Sequence, residues 1–203
     1  MSRFIFYLFY ILIFLGLNIG CDTNQKISII FDTDANNEID DQHALAYLFS
    51  NSNTFEIKAI TTNATINGGD IEEHFEEAKR IMQLCNWYKK TPLLLGANKN
   101  FESIKKNLSK PNFDGHEAVD FIIKEASKYN SYKKLVLLAV GKLTNVALAV
   151  KKNPSIITKI RLIWLGSNYP EPGEYNLIND IKSMNFLLES DIEFEIVTVR
   201  YGK

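Results

Sequence analysis

Between Asp32 and Asp41 the chain places four aspartates and a glutamate within ten residues, in the stretch Ile29-Ile30-Phe31-Asp32-Thr33-Asp34-Ala35-Asn36-Asn37-Glu38-Ile39-Asp40-Asp41. Like charges at this density repel one another unless something positive sits among them. Carboxylate oxygens are hard ligands of the kind that calcium and magnesium take. A solvated acidic loop is the plainest reading of such a run in general. Here the acids follow directly on an apolar segment, and the expectation is a bound divalent cation.

Apolar runs at 26–31, 55–62, 92–95, 135–140, 160–165 and 194–199 read as strands. Helical stretches separate them, at 41–50, 70–87, 118–129, 145–152 and 181–189. In the 70–87 stretch Ile71, Phe75, Ala78, Ile81, Met82 and Cys85 share one face, and Glu76 and Arg80 stand at pairing distance on the charged face. Cys85 reads as a structural thiol in that apolar face. Strands that are apolar throughout are buried on both faces, so their alternation with helices predicts an α/β fold, a mostly parallel sheet with helices on both sides. Ligands of such sheets bind at the carboxyl ends of the strands. The acids behind Phe31 stand at such an end.

The chain has 203 residues, a formal net charge of -1 and 46% hydrophobic residues. That suits one domain with a sizeable core, and no repeat or linker divides residues 21–203. The near-neutral charge, with lysines scattered in pairs, gives no reason to expect a nucleic-acid or anionic-membrane surface. The first 20 residues differ. Arg3 precedes the apolar run Phe4 to Leu17, which ends in Asn18-Ile19-Gly20-Cys21. A positive start and a short apolar run are the pattern of an export signal. Gly20-Cys21 resembles the lipobox of bacterial lipoproteins, although Asn18 stands where an aliphatic residue is usual. The expectation is a lipoprotein-type signal over residues 1–20, and an exported chain held at a membrane through lipid on Cys21. An uncleaved anchor is the alternative, for which the run is short.

The acidic stretch, a strand followed by Asp-x-Asp, a short loop and Asp-Asp at a helix start, resembles the signature of the inosine/uridine-preferring nucleoside hydrolases. Ile60-Thr61-Thr62 with Asn67-Gly68 resembles that family's second-strand region. Leu138 to Ala149, with Gly141-Lys142-Leu143-Thr144-Asn145 at its centre, resembles its Gly-Pro-Leu-Thr-Asn stretch. Gly173-Glu174-Tyr175-Asn176 with Asp180 resembles its Glu-Phe-Asn and Asp-Pro stretch. The resemblance implies a Rossmann-like nucleoside hydrolase fold. It also implies hydrolysis of the N-glycosidic bond of ribonucleosides to ribose and free base by a calcium-bound water, through a cationic sugar that carboxylates stabilise. By position it assigns Asp34 as general base and calcium ligand, Asp41 as the second metal carboxylate, and Thr144 as a carbonyl ligand. Asp40, Asn67, Asn168, Glu174 and Asn176 are assigned to the substrate. The implied partner is a small ribonucleoside, and a homo-oligomer is left open.

Plainer roles compete at several positions. Thr144 and Asn145 could cap the helix that follows, and Glu174 could be a turn residue. His43, His74 and His116 receive no role. The loop between Asp34 and Asp40 is two residues longer than the family's usual form, Lys142 stands in place of proline, and Ile181 replaces the proline after Asp180. Family members continue beyond the last strand, and that later segment supplies a further metal aspartate. The resemblance therefore implies a site short of a ligand, with impaired turnover or binding of ribosides without catalysis. A haloacid-dehalogenase-type phosphatase, with Asp32 as nucleophile and Asp34 as acid/base, is the remaining alternative.

Overall fold

The computed structural model describes residues 25–168 and 173–199. The lipoprotein signal, Cys21 and the last four residues lie outside the described residues. No helix among the described residues is long and apolar enough to cross a membrane.

Six strands are described: β1 (Ile27–Thr33), β2 (Phe55–Thr62), β3 (Leu93–Leu94), β4 (Leu135–Ala139), β5 (Ile160–Leu165) and β6 (Glu193–Val197). They form one sheet in the order β3-β2-β1-β4-β5-β6, and every pair is parallel. Parallel strands need long crossovers, and seven helices supply most of their length. These are α1 (Ile39–Ser50), α2 (Ile71–Leu84), α3 (Phe101–Ile104), α4 (His116–Ala126), α5 (Thr144–Lys152), α6 (Tyr175–Asn179) and α7 (Ile181–Leu188).

The side-chain alternation of the strands sorts the core into two layers. Ile29 and Phe31 of β1 pack with Leu45, Leu48 and Phe49 of α1 and with Ala78, Ile81 and Met82 of α2. Ile30 of β1 and Leu135, Leu137 and Ala139 of β4 face the other way. They pack with α3, α4, α5 and α7, through residues such as Phe101, Ile122, Val146 and Leu187. Helices therefore cover both faces, as the sequence predicts. The edge strand β6 is largely exposed, and two of its acids pair with neighbours, Lys134 with Glu193 and Arg161 with Glu195.

Several boundaries differ from the sequence reading for local reasons. β1 runs on through Asp32 and Thr33 because both stay in register, opposite Thr61 and Thr62 of β2. α2 stops at Leu84, where Asn86 and Lys89 take positive φ, so Cys85 is only half-buried. On α2 the ion pairs are Lys79 with Glu76 at 2.8 Å and Arg80 with Glu77 at 2.6 Å. The Glu76–Arg80 pair suggested by the spacing gives way to these two i,i+3 pairs.

The strand order reverses between β1 and β4: α1 and α2 lead the chain outward on one side of β1, and the later crossovers lead outward on the other. In open parallel sheets such a reversal leaves a crevice beyond the carboxyl ends of the two strands. Asp32, Asp34 and Gly141 stand at that point.

Candidate active site

Asp32 lies in the buried part of β1, one residue before its end, and is held from three directions. Its Oδ1 accepts from the Thr61 hydroxyl at 2.6 Å and from the Asn145 side-chain amide at 2.7 Å. Its Oδ2 accepts from the Asn63 side-chain amide at 3.1 Å. Burial still pushes its carboxyl up to about 6, against the lowering effect of these donors and of Lys142. Asn145 also donates to the Thr62 carbonyl at 2.9 Å and accepts from the Ala97 amide at 2.8 Å. One buried carboxamide thus ties the start of α5 to β1, to β2 and to the loop behind β3. The helix-cap alternative for Thr144 and Asn145 is thereby corrected. The residue before α5 is Leu143, with no side-chain cap. The Thr144 hydroxyl donates instead to Asp180 at 2.6 Å, and Asp180 caps α7 through the Ser183 amide.

Asp34 is treated differently. Its Oδ2 accepts from the Thr65 hydroxyl at 2.6 Å, whereas its Oδ1 is buried with no hydrogen-bond partner. Burial, with Asp32 and Asp40 nearby, pushes the carboxyl up to about 7. Asp41, in the first turn of α1, accepts from the Thr33 hydroxyl. Burial, and then the charge of Asp34, raises it well above the usual carboxylate range. Acids in a first helical turn face the positive end of the helix dipole, but that is far from neutralising two buried carboxylates. The nearest buried cation is Lys142, pushed down to about 8 by burial. Its ammonium donates to the carbonyls of Asn98 and Lys99, at 3.1 and 2.9 Å.

The longer loop after Asp34 is pinned. The Asn36 amide donates to Nδ1 of His74 at 3.2 Å, and the Asn36 side chain donates to the Gly68 carbonyl at 2.7 Å. Gly68 has φ +85, and a β-carbon there would stand 2.7 Å from the Asn36 carbonyl oxygen, so the close approach requires glycine. His74, which receives no role in the sequence reading, is fully buried. It accepts from Asn36, and burial lowers its pKa. It holds the loop in place as a neutral side chain.

Beside these acids lies a cavity of about 190 Å³, lined by Asn37, Glu38, Asp40, Asp41, Leu165, Glu174, Tyr175, Asn176 and Val199. The structure therefore brings together Asp40, Asp41, Glu174 and Asn176, as the sequence reading expects. Glu174 is more than a turn residue. It caps α6, accepting from the amides of Asn176 and Leu177 at 2.8 and 3.0 Å and from that of Ser167 at 2.8 Å. Asn176 donates to the carbonyls of Val140 and Leu165, at 2.6 and 3.0 Å, so it fastens α6 across the ends of β4 and β5. The Tyr175 hydroxyl accepts from the Asn67 amide at 2.8 Å, and Asn179 accepts from the Ile66 amide at 2.7 Å. These bonds draw the loop behind β2 toward α6. Asn67 itself is exposed and outside the lining of the cavity, as is the half-buried Asn168. Thr144, expected to offer its carbonyl, is the buried first residue of α5. His43 is exposed, and the His116 ring bonds to the local Phe113 carbonyl.

Sequence reasoning missed the roles of Thr61 near the end of β2 and of Asn63 and Thr65 just behind it, the residues that hold the two acids. Strand register was the available signal. Thr61 pairs with Asp32, and with period two Asn63 and Thr65 continue on the same side.

The donor set fits a hard cation. Asp34 Oδ1 and Asn63 Oδ1 are buried acceptors with no donor, next to a second desolvated carboxylate at Asp41. Among the described residues no three His, Cys, Asp or Glu side chains gather into a metal cluster, so part of any coordination falls to amide, carbonyl or hydroxyl oxygens.

Comparison with known proteins agrees with this architecture. Residues 29–201 match the family described as inosine-uridine preferring nucleoside hydrolase. A probable uridine nucleosidase 1 of Oryza sativa subsp. japonica is 27% identical over 89 residues, 40% of this chain and 27% of that protein. Among solved structures, a plant nucleoside hydrolase superposes with a TM-score of 0.69 at 17% identity, over 86% of this chain and 60% of its own. A purine-preferring ribonucleoside hydrolase from Gardnerella vaginalis gives 0.64 at 20% identity, over 84% and 60%. The inosine-uridine preferring nucleoside hydrolase from Bacillus anthracis gives 0.63 at 20%, over 85% and 65%. The chain thus spans less than two thirds of the length of these relatives. On the match across residues 29–201, the chain belongs to the inosine-uridine preferring nucleoside hydrolase family.

Proposed function

We propose that this chain carries the catalytic face of a calcium-dependent hydrolase that cleaves the N-glycosidic bond of ribonucleosides, giving ribose and free base. The observation that supports it most is the unpartnered, buried oxygen of Asp34 near Asp41, a residue that lines a cavity together with Asp40, Glu174 and Asn176. The residues that would hold the cation are Asp34 and Asp41. A calcium ion held there would supply an activated water and an anchor for sugar hydroxyls.

The chain's own residues perform the rest. Thr65 fixes one oxygen of Asp34 and leaves the other to take a proton from the attacking water. Asp40 lines the cavity and is exposed to it, so its carboxylate accepts from ribose hydroxyls. Glu174 and Asn176 are locked by main-chain partners and present a rigid polar wall to the sugar. Rigid carboxylates around the cavity also stabilise positive charge as it develops on the ribose ring. Leu165 and Val199 contribute the apolar lining.

Purified protein incubated with inosine or uridine tests this reading, with release of free base followed in calcium and in chelator. Calcium-dependent release is expected, reduced by about 10²-fold or more in Asp34→Asn. Release of phosphate from an ester with none from a nucleoside would refute it, as would riboside binding without turnover.

A further inference from the structure

Asn63 directly follows β2 and is fully buried. Its Nδ2 donates to Asp32 Oδ2 at 3.1 Å. The other oxygen of Asp32 is already served by Thr61 and Asn145. Turning the Asn63 amide over would set its oxygen against a carboxylate oxygen and remove that donor. The amide is therefore oriented, with nitrogen toward Asp32 and oxygen away. That oxygen finds no donor in the protein, and neither does Asp34 Oδ1. Both face one small space above Gly141: a β-carbon on Gly141 would lie 2.8 Å from Asn63 Oδ1 and 2.8 Å from Asp34 Oδ1.

A buried acceptor without a donor costs about 1–3 kcal/mol, and folded proteins hold few of them. Two converging on one point, one of them from a carboxylate, make a local concentration of negative potential. Lys142 does not relieve it, because its ammonium is engaged by the carbonyls of Asn98 and Lys99. Hard divalent cations satisfy such oxygens, and calcium accepts neutral amide oxygens beside carboxylates. We infer that Asn63 Oδ1 is an oxygen ligand of the cation bound by Asp34 and Asp41, in a cradle that exists because residue 141 is glycine. The inference rests on the proposed reading that a cation binds at Asp34. It adds a neutral ligand that none of the sequence motifs marks.

Calcium titration calorimetry and terbium luminescence on the metal-stripped full chain test it, with thermal unfolding of each stripped variant as the folding control. Asn63→Ala should weaken binding about tenfold or more. Asn63→Asp loses the same donor to Asp32 but returns an oxygen to the cradle, and should stay within about tenfold of the parent. Gly141→Ala fills the space and should abolish binding while the chain remains folded. Equal affinity in the parent and Asn63→Ala, or equal losses in Asn63→Ala and Asn63→Asp, would overturn the assignment and leave the cation at Asp34 standing. A parent protein that binds neither ion would overturn both this inference and the reading on which it rests.

Discussion

Replacing Asp34 by Asn should stabilise the calcium-free protein while removing its function. The ordinary carboxyl value of 3.8 holds for the unfolded chain, and burial raises it to about 7 in the folded state. The folded state therefore binds this proton more tightly, and stability falls as pH rises from about 4 to about 7, by ~1.4 kcal/mol per pH unit at the steepest. Above pH 7 the ionised group costs the folded state on the order of 4 kcal/mol, against under about 1 kcal/mol at pH 4. Asparagine keeps an acceptor for Thr65 and offers an N–H toward the orphaned oxygen of Asn63. For a domain of this size the gain at pH 8 corresponds to about 10 °C in Tm. Thermal unfolding in chelator from pH 4 to 8 measures it. The variant should unfold at higher temperature at pH 8, and the two curves should converge toward pH 4. Calcium should then raise the Tm of the parent and leave the variant unmoved. A variant equal to or less stable than the parent at pH 8, or an advantage independent of pH, would refute the account of Asp34 as a desolvated, under-bonded carboxylate.

Two further outcomes are expected. Asn145→Ala strands Asp32, the Thr62 carbonyl and the Ala97 amide together, and should cost about 3–5 kcal/mol of stability by denaturant unfolding; a loss below about 1 kcal/mol would contradict its role as a hub. The Gly20-Cys21 pair behind the apolar run motivates the proposal of a lipid-anchored, exported protein, so Cys21→Ser should abolish lipid labelling and release the chain from membranes, whereas unchanged attachment would favour an uncleaved anchor.

The fold was legible because its strands are apolar enough to be read without alternation. Ile29, Ile30 and Phe31 are all buried, and a strand buried on both faces belongs to a parallel sheet with two helical layers. Short elements were not legible. α3 and α6 have four and five residues, too few for helical periodicity to register. The acids of the site were visible as a cluster, but their division of labour was not. Asp32 and Asp34 are the same residue type two positions apart. What separates them is the donors on β2 and α5 that reach one and miss the other, a matter of register. Asn145 shows the same limit. In sequence it opens a helix like any cap residue, and its partners lie 113, 83 and 48 positions away.

That division also bears on the two chemistries that the Asp-x-Asp pattern allows. A phosphatase of the haloacid-dehalogenase type needs the first aspartate as nucleophile, with an oxygen lone pair free to attack. In this fold both oxygens of Asp32 accept from buried donors, two on Oδ1 and one on Oδ2. These three bonds tie β1 to β2 and α5, so drawing Asp32 onto a phosphorus atom would disturb the scaffold. The second aspartate is the one left short of donors, and it faces an asparagine oxygen instead of an acid. An arrangement that gives Asp32 three donors and leaves one buried oxygen of Asp34 with none suits the proposed reading, in which the first carboxylate is a fixed part of the scaffold and the second is kept for a cation and a water. Under the proposed function the nucleophile is a water and no covalent enzyme intermediate forms, which suits a substrate whose leaving group departs from a carbon carrying developing positive charge, as a nucleobase departs from ribose.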